Sequence, residues 1–126
     1  MTAVMKLDFQ LLGTTVAPAE ISRRTGITPD TQLMRGERNA TLILPRQNLW
    51  SIESHVESDE VSDHWEDLKR VLEDSKEEIR EIARTGTARL TLVIAPSDRL
   101  PSLQIPPPMS VFAGFVNAVI DIDQLQ

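Results

Sequence analysis

The stretch Val61–Arg84, VSDHWEDLKRVLEDSKEEIREIAR, decides the fold, because the other segments are typical of a sheet that packs against it. Its apolar residues recur at steps of four and three, which places them in one stripe along a helix. They are Val61, Trp65, Leu68, Leu72, Ile79 and Ile82. The stretch predicts one long helix that ends at Gly86. Ser75, at the one missing step, marks either a thin spot in the packing or the edge of the contact.

The length and composition indicate a single globular domain over residues 1–126 that can bury a sizeable core. The sequence has no cysteine, which excludes a disulfide framework, a thiolate metal site and a cysteine nucleophile. No apolar run reaches the roughly 18 residues that a membrane span needs. The start of the sequence lacks a basic region followed by an apolar one. We therefore expect a cytoplasmic protein without a membrane segment.

The net charge of −6 is concentrated in one part of the chain. Residues 53–85 contain five Lys and Arg residues against twelve Asp and Glu residues, a difference of −7. A surface of this kind repels phosphate backbones, so we expect no nucleic-acid partner. It attracts a basic protein, although acidity also serves simply to keep a small domain soluble.

The remaining segments predict the other elements of the fold. Residues 27–39 have the composition of a loop, and the other predicted elements are a strand Val4–Gly13, a helix Pro18–Thr25, strands Thr41–Leu44 and Asn48–Val56, a strand Thr87–Ala95, a short helix Met109–Phe115 and a last strand from Ala118. The order β-α-β-β-α-β is that of the ferredoxin-like split βαβ arrangement. We predict an α+β fold of this kind, extended by a short helix and a C-terminal strand. The helices would cover one face of a mostly antiparallel sheet.

Five short segments carry a family resemblance across nearly the whole chain. They are Ala19–Ile21, Thr25–Asp30, Arg35–Glu37, Asn48–Ile52 and Ala118–Asp123. With these segments the chain resembles the bacterial family known as domain of unknown function 4279. It departs from the family pattern at Gln124 and Leu125, where an aromatic residue is expected. Because the family has no assigned activity, the resemblance implies the small α+β fold more than a function.

The long loop between residues 28 and 39 is a candidate binding element. It is polar, and loops of this length without structure of their own are often functional. Together with Trp50, which follows it in the sequence, the loop could bind an anion or a peptide. Alternatively, Trp50 belongs to the core and the loop is a surface connector. The predicted binding residues are Arg35, Glu37, Arg38, Trp50 and His55.

A metal site is a weaker hypothesis. His55 and His64, with Glu57, Asp59 and Asp63 nearby, are residue types that bind metals. Their spacing fits no compact ligand motif, which favours a solvated loop and helix start instead. We predict no metal and no cofactor.

Two arrangements could support hydrolysis, and in both a structural role is favoured. Asp121 and Asp123 lie on one face of the last strand, about 6–7 Å apart as judged from the strand rise, and a wet strand face is the favoured interpretation. The residue types of a nucleophile triad are supplied by Ser51, Ser54, His55 and Glu53. Neighbours along a strand alternate faces, and there is no nucleophile elbow. No residue is predicted to be catalytic.

Three functions follow from the sequence, in order of preference. The first is a non-catalytic protein-interaction module, by analogy an immunity-type or accessory protein, that binds another protein through a strand edge, a polar sheet face or the acidic helix face. The partner is expected to be basic, and edge strands also allow a homodimer. The second is a small-molecule or anion-binding domain that uses Arg35, Arg38 and Trp50. The third is a small hydrolase that uses His55 or the Asp121 and Asp123 pair.

Overall fold

The computed structural model describes residues 5–36, 47–96 and 103–125. Along the chain the elements are β1 (Met5–Leu12), α1 (Pro18–Thr25), β2 (Thr31–Leu33), β3 (Leu49–Glu53), α2 (Val61–Leu72), a 3-10 turn (Glu73–Ser75), α3 (Lys76–Ala83), β4 (Thr87–Ile94), α4 (Pro107–Val116) and β5 (Ala118–Gln124). Within these described ranges, none of the helices is both long and apolar enough to cross a membrane.

The five strands form one sheet in the order β2-β3-β1-β4-β5. β3 lies between β1 and β2, and β1 lies between β3 and β4, with every one of these neighbours antiparallel. This order is that of the split βαβ arrangement, so the predicted α+β fold is confirmed. β5 adds to β4 as a parallel strand through the crossover helix α4.

β2 corrects the prediction of a continuous loop over residues 27–39. Residues 31–33 pair with β3, and the N–H of Asp30 donates to the carbonyl oxygen of Ser51 at 2.9 Å. The side chain of Asp30 also accepts a hydrogen bond from the N–H of Glu53 at 2.7 Å. A strand of three exposed or half-exposed residues has no apolar alternation of its own, and it forms because β3 supplies its hydrogen bonds. The predicted strand Thr41–Leu44 lies outside the described residues.

One face of the sheet, called here the inner face, is covered by all four helices. The alternation predicted for β1 is confirmed, because Met5, Leu7, Phe9 and Leu11 are all buried. Phe112 of α4 packs edge-on against Phe9 with ring centroids 5.8 Å apart, and it lies 5.2 Å from Trp65 of α2. The stripe on the helical segment therefore meets the alternating rows of the sheet in one core.

The long helix predicted from Val61 to Arg84 is wrong in one respect, because it is interrupted by the 3-10 turn at Glu73–Ser75. Ser75, the polar residue in the apolar stripe, donates its hydroxyl hydrogen bond to the carbonyl oxygen of Thr25 at 2.9 Å. Thr25 is the last residue of α1, where carbonyl groups lack partners within the helix. The gap in the stripe is therefore a specific polar contact between two helices.

Gly86 follows α3, but its role differs from the left-handed helix end that its position predicts. Its φ is not positive, in contrast to that of Gly26 after α1, which is 72°. A Cβ atom at Gly86 would lie 2.4 Å from the carbonyl oxygen of Leu12 and 2.8 Å from the backbone nitrogen of Thr14. Glycine is needed there because the backbone passes too close to the end of β1 for any side chain.

Candidate functional site: the open face of the sheet

The face of the sheet opposite the helices, called here the outer face, carries the polar half of each strand. No described helix packs on it. Four residues lie in register across four neighbouring strands: Glu53 of β3, Asp8 of β1, Thr91 of β4 and Asp121 of β5. We call these four residues the acidic row. Neighbouring members are about 4.8 Å apart, the spacing of adjacent strands.

Asp8 is the most perturbed member of the acidic row. Its carboxyl group is partly buried, and the Oδ1 atom has no hydrogen-bond partner among the described residues. Burial is the main cause that raises the pKa of the Asp8 carboxyl above its usual value; Lys6 acts in the opposite direction, and Glu53 and Asp30 add to the increase. The cost of burial thus outweighs the favourable charge of Lys6, and no described group donates a hydrogen bond to Oδ1.

Thr91 lies directly beside Asp8, and its side chain also lacks a hydrogen-bond partner among the described residues. It is only 6% exposed, and its hydroxyl has no hydrogen-bond partner in the part of the chain that the structure describes. Buried polar side chains nearly always have a partner, so an exception on an otherwise open sheet face requires an explanation. Two adjacent side chains, on β1 and β4, thus have polar atoms without a hydrogen-bond partner among the described residues.

The cations of the outer face do not neutralise Asp8. Lys6 Nζ lies 3.0 Å from Glu53 Oε2, and this hydrogen bond is the main cause that raises the pKa of the Lys6 ammonium. Arg89 lies on β4 opposite Gln10 and Val119, two residues before Thr91 and therefore outside the acidic row. Lys6 and Arg89 face four carboxylates on the outer face of the strands: Asp8, Glu53, Asp121 and Asp123. The face therefore keeps an excess of negative charge.

His55 extends this polar surface beyond the end of β3. Its Nε2 lies 2.8 Å from Asp30 Oδ1, and its backbone N–H donates to Asp67 Oδ2 at 2.8 Å. One ligand atom each from Asp30, Glu53 and His55 lie within 4.8 Å of one another, so these three residues could hold a metal ion. The His55 side chain is 63% exposed. An exposed imidazole there provides little of the desolvation on which acid–base catalysis depends.

His64 does not join His55, in contrast to the sequence-based metal hypothesis. It is buried beside Ser54, whose Oγ lies 2.6 Å from His64 Nδ1 and accepts the N–H of Leu7 at 2.9 Å. His64 Nε2 lies 2.8 Å from the carbonyl oxygen of Ser58. Since a carbonyl oxygen only accepts, Nε2 donates to Ser58, and the Ser54 hydroxyl links Nδ1 to the N–H of Leu7. The pair stabilises the core end of β3.

The Ser54 and His64 pair was missed in the sequence, although one signal for it is present. Ser54 has the same parity along the strand as Trp50 and Ile52, which both point to the inner face. His55 has the opposite parity, so it cannot join Ser54. The parity therefore indicated a helix residue as the partner of Ser54, but the sequence does not say which residue.

The structure places Trp50 in the core and not at the surface beside the loop. Trp50 is completely buried, and its indole N–H donates to Ser22 Oγ at 3.0 Å. Arg35 is exposed, and its backbone N–H donates to Asn48 Oδ1 at 2.8 Å. Glu37 and Arg38 lie outside the described residues. Trp50 thus has no surface available to a ligand, and the described contacts of Arg35 fix its backbone.

A groove between α4 and the α2–α3 segment is a separate concave feature of about 360 Å³. Phe115 forms part of its wall, with Lys76 Nζ 5.3 Å and the Arg80 guanidinium carbon 5.0 Å from the ring centroid. Trp65 also lines the groove, and its indole N–H has no acceptor among the described residues. The charged residues that line the groove are Lys69, Lys76 and Glu73, with Lys76 Nζ 3.0 Å from Glu73 Oε1. Aromatic walls with two lysines against one glutamate suit an apolar anion.

Comparison with known proteins places the chain in a family. The model of the family described as Domain of unknown function (DUF4279) matches residues 3–126. The chain therefore belongs to this family, and the predicted resemblance is confirmed. No curated protein and no solved structure matches the chain.

Proposed function

We propose that this chain is a non-catalytic interaction module whose outer sheet face binds a basic segment of another protein. The observation that carries this proposal is the partly buried Asp8 carboxylate, whose Oδ1 has no hydrogen-bond partner among the described residues and which lies in line with two further carboxylates of the acidic row. A lysine or arginine of a partner would supply both the charge and the hydrogen bond. Hydrogen bonds to charged groups contribute about 1.5–3 kcal/mol each.

The dimensions of the acidic row favour a segment with several basic side chains over a single small cation. The row crosses four strands, a distance of roughly 14 Å from the strand spacing. One ion would neutralise one or two carboxylates and leave Asp121 or Glu53 without a new partner. A polypeptide with spaced basic side chains can reach the whole row.

The acidic face of α2 and α3 supports binding less well than the sheet face. Several of its carboxylates already have cations at helical spacing, such as Asp67 with Arg70 at 3.5 Å and Glu81 with Arg84 at 3.1 Å. Other acids on these helices, Glu66 and Glu77 among them, are exposed and fully hydrated. Such surface charges gain little from a partner because water already stabilises them.

Affinity capture from the native cell tests the proposal with two matched double variants. Asp8→Asn with Asp121→Asn removes two charges from the acidic row, and Glu66→Gln with Glu77→Gln removes two charges from the helices. We expect the wild type and the helix variant to retain the same partner and the sheet variant to lose it. A basic segment of that partner, made as a peptide, should bind more weakly as salt concentration increases. A partner that the sheet variant keeps and the helix variant loses contradicts the proposal.

A second candidate function, binding of a small apolar anion, is favoured by the groove beside Trp65. A Trp50→Phe variant leaves Trp65 as the sole tryptophan, so its emission should change saturably with the probe 8-anilino-1-naphthalenesulfonate. Val111, 71% exposed at the groove, and Val119, 57% exposed on β5, offer a matched pair. Val111→Glu should abolish the change and Val119→Glu should preserve it. Equal binding by both variants would place the probe elsewhere.

A further inference from the structure

β5 provides an unusually long free edge to the sheet. It presents seven residues of extended backbone, Ala118–Gln124, whereas the opposite edge strand β2 has three. No described residue pairs with β5 on the side away from β4. Most of its side chains are exposed, and natural proteins usually protect long edges of this kind because they template pairing with another chain.

The backbone groups that face the free side can be assigned from the ladder with β4. The N–H of Leu125 donates to the carbonyl oxygen of Ile94 at 2.9 Å. Backbone groups alternate along a strand, so the odd-numbered residues of β5 bond to β4 and the even-numbered ones point away. The N–H and C=O groups of Ile120 and Ile122 therefore point away from β4, where no strand of the described ranges pairs with them.

The side chains of β5 indicate which residues a strand paired with its free edge should contain. Asp121 and Asp123 lie on the outer face, next to the acidic row. Ile122, on the other face, is 46% exposed. A complementary strand would place a cation opposite each carboxylate and apolar residues at the intervening positions, because directly opposite side chains are close enough to interact.

A second copy of this chain is a poor occupant of the edge. Antiparallel pairing of two β5 strands with a two-fold axis at residue 121 places Asp121 opposite itself. With the axis at residue 122, Asp121 lies opposite Asp123. Like charges directly opposite each other destabilise a strand pair, so these registers disfavour a homodimer through β5.

We infer that the basic segment binds by strand addition to β5, with Lys or Arg at alternate positions that face Asp121 and Asp123 and apolar residues between them. This inference rests on the proposed function, whose acidic row includes Asp121. Main-chain hydrogen bonds to Ile120 and Ile122 hold the segment along the edge, and the alternating cations select it. An arginine opposite Asp121 extends the line of the acidic row by one strand. Asp8 lies three strand spacings, roughly 14 Å, from the added strand, so its cation would come from another part of the same partner.

The test compares two peptides of identical composition with the full chain. One alternates lysine with valine and threonine, and the other groups the same lysines at one end. We expect the alternating peptide to bind at least tenfold more tightly by isothermal titration. Ile122→Pro, which removes an outward N–H while leaving the ladder to β4 intact, should weaken its binding at least tenfold, and Ile122→Val should not. Hydrogen exchange of the wild type should show that the peptide protects the amides of Ile120 and Ile122, even if Ile122→Pro fails to fold.

The outcomes separate the two proposals. Equal affinity of both peptides, no alternating-peptide binding at millimolar concentration, or unchanged exchange at Ile120 and Ile122 overturns strand addition. In any of these cases the proposed function stands if the captured partner is still lost from the Asp8→Asn, Asp121→Asn variant. If that variant keeps the partner, the proposed function fails, and strand addition by a basic segment fails with it.

Discussion

The two faces of the sheet treat their polar groups in different ways. On the inner face the buried side chains of Ser54 and His64 bond to each other and to backbone groups. On the outer face Asp8 and Thr91, neighbours across β1 and β4, have no such partners among the described residues. Trp65, whose indole N–H has no acceptor among the described residues, is an exception on the inner side. We expect substitutions on the inner face to change stability more than those on the outer face. Substitutions of equal size on the two faces test this distinction.

The largest difference is expected within β1 itself. Phe9→Ala removes a completely buried ring and its contact with Phe112, and should lower the free energy of unfolding by about 3–5 kcal/mol. Gln10→Ala, the next residue but on the outer face, should change it by less than about 0.5 kcal/mol. Urea denaturation followed by circular dichroism measures both. Comparable losses would show that the outer face is packed as well as the inner one.

Two serines of one chain segment provide the next comparison. Ser54→Ala leaves the N–H of Leu7 and Nδ1 of His64 without partners in the core, and should cost about 1–3 kcal/mol. Ser51→Ala makes the same change on the outer face and should be close to neutral. Thermal unfolding of the two variants side by side gives the result. If Ser54→Ala is also neutral, the buried pair is not needed for stability.

Asp8→Asn should increase the free energy of unfolding at neutral pH, in contrast to the substitutions above. In the folded state the pKa of the Asp8 carboxyl is raised above its ordinary value of 3.8. The folded state therefore binds this proton more tightly than the unfolded state does. It loses stability as pH rises from the ordinary value through the folded pKa. At pH 7 the asparagine variant should therefore be more stable than the wild type, by less than about 1 kcal/mol because solvent screens a partly exposed group. The advantage should vanish below about pH 4. Urea midpoints at both pH values test this, and a less stable variant at pH 7 would refute it.

Thr91→Val is expected to change stability least. It also serves as a control for Asp8→Asn, because it changes a side chain that does not titrate. It replaces a buried hydroxyl that has no partner in the described part of the chain with a methyl group of the same shape, a change that should be neutral or stabilise by up to about 1 kcal/mol. Its effect should be the same at pH 4 and pH 7, because threonine does not titrate in this range. A clear loss of stability would mean that the hydroxyl has a partner in the folded protein.

Local sequence patterns predicted the inner face well. Alternation identified the buried side of β1 and β4, and Pro18 and Gly26 fixed both ends of α1. β2 was not predicted, because its hydrogen-bond partners lie in β3, about twenty residues later in the chain. Local composition around Pro29 and Asp30 contains no sign of that pairing.

The outer face could be predicted only in part. Alternation indicates that Asp8 and Thr91 point away from the core, but not that they lie side by side, because register between distant strands depends on the whole sheet. The parallel position of β5, which adds Asp121 to the row, depends on the crossover through α4. The predicted site around Trp50 assumed that a tryptophan near a polar loop faces it, whereas its strand parity turns it toward α1.

The interruption at Glu73–Ser75 also has an electrostatic consequence. A helix has partial positive charge at its N-terminus and partial negative charge at its C-terminus. Because a new helix starts at Lys76, Glu77 and Glu78 lie in a first turn, and Lys69 and Arg70 lie in the last turn of α2. Each favourable placement contributes about 0.3–1 kcal/mol at low ionic strength. Division into two dipoles thus brings a second positive helix end to the most acidic part of the chain, which one continuous helix would lack.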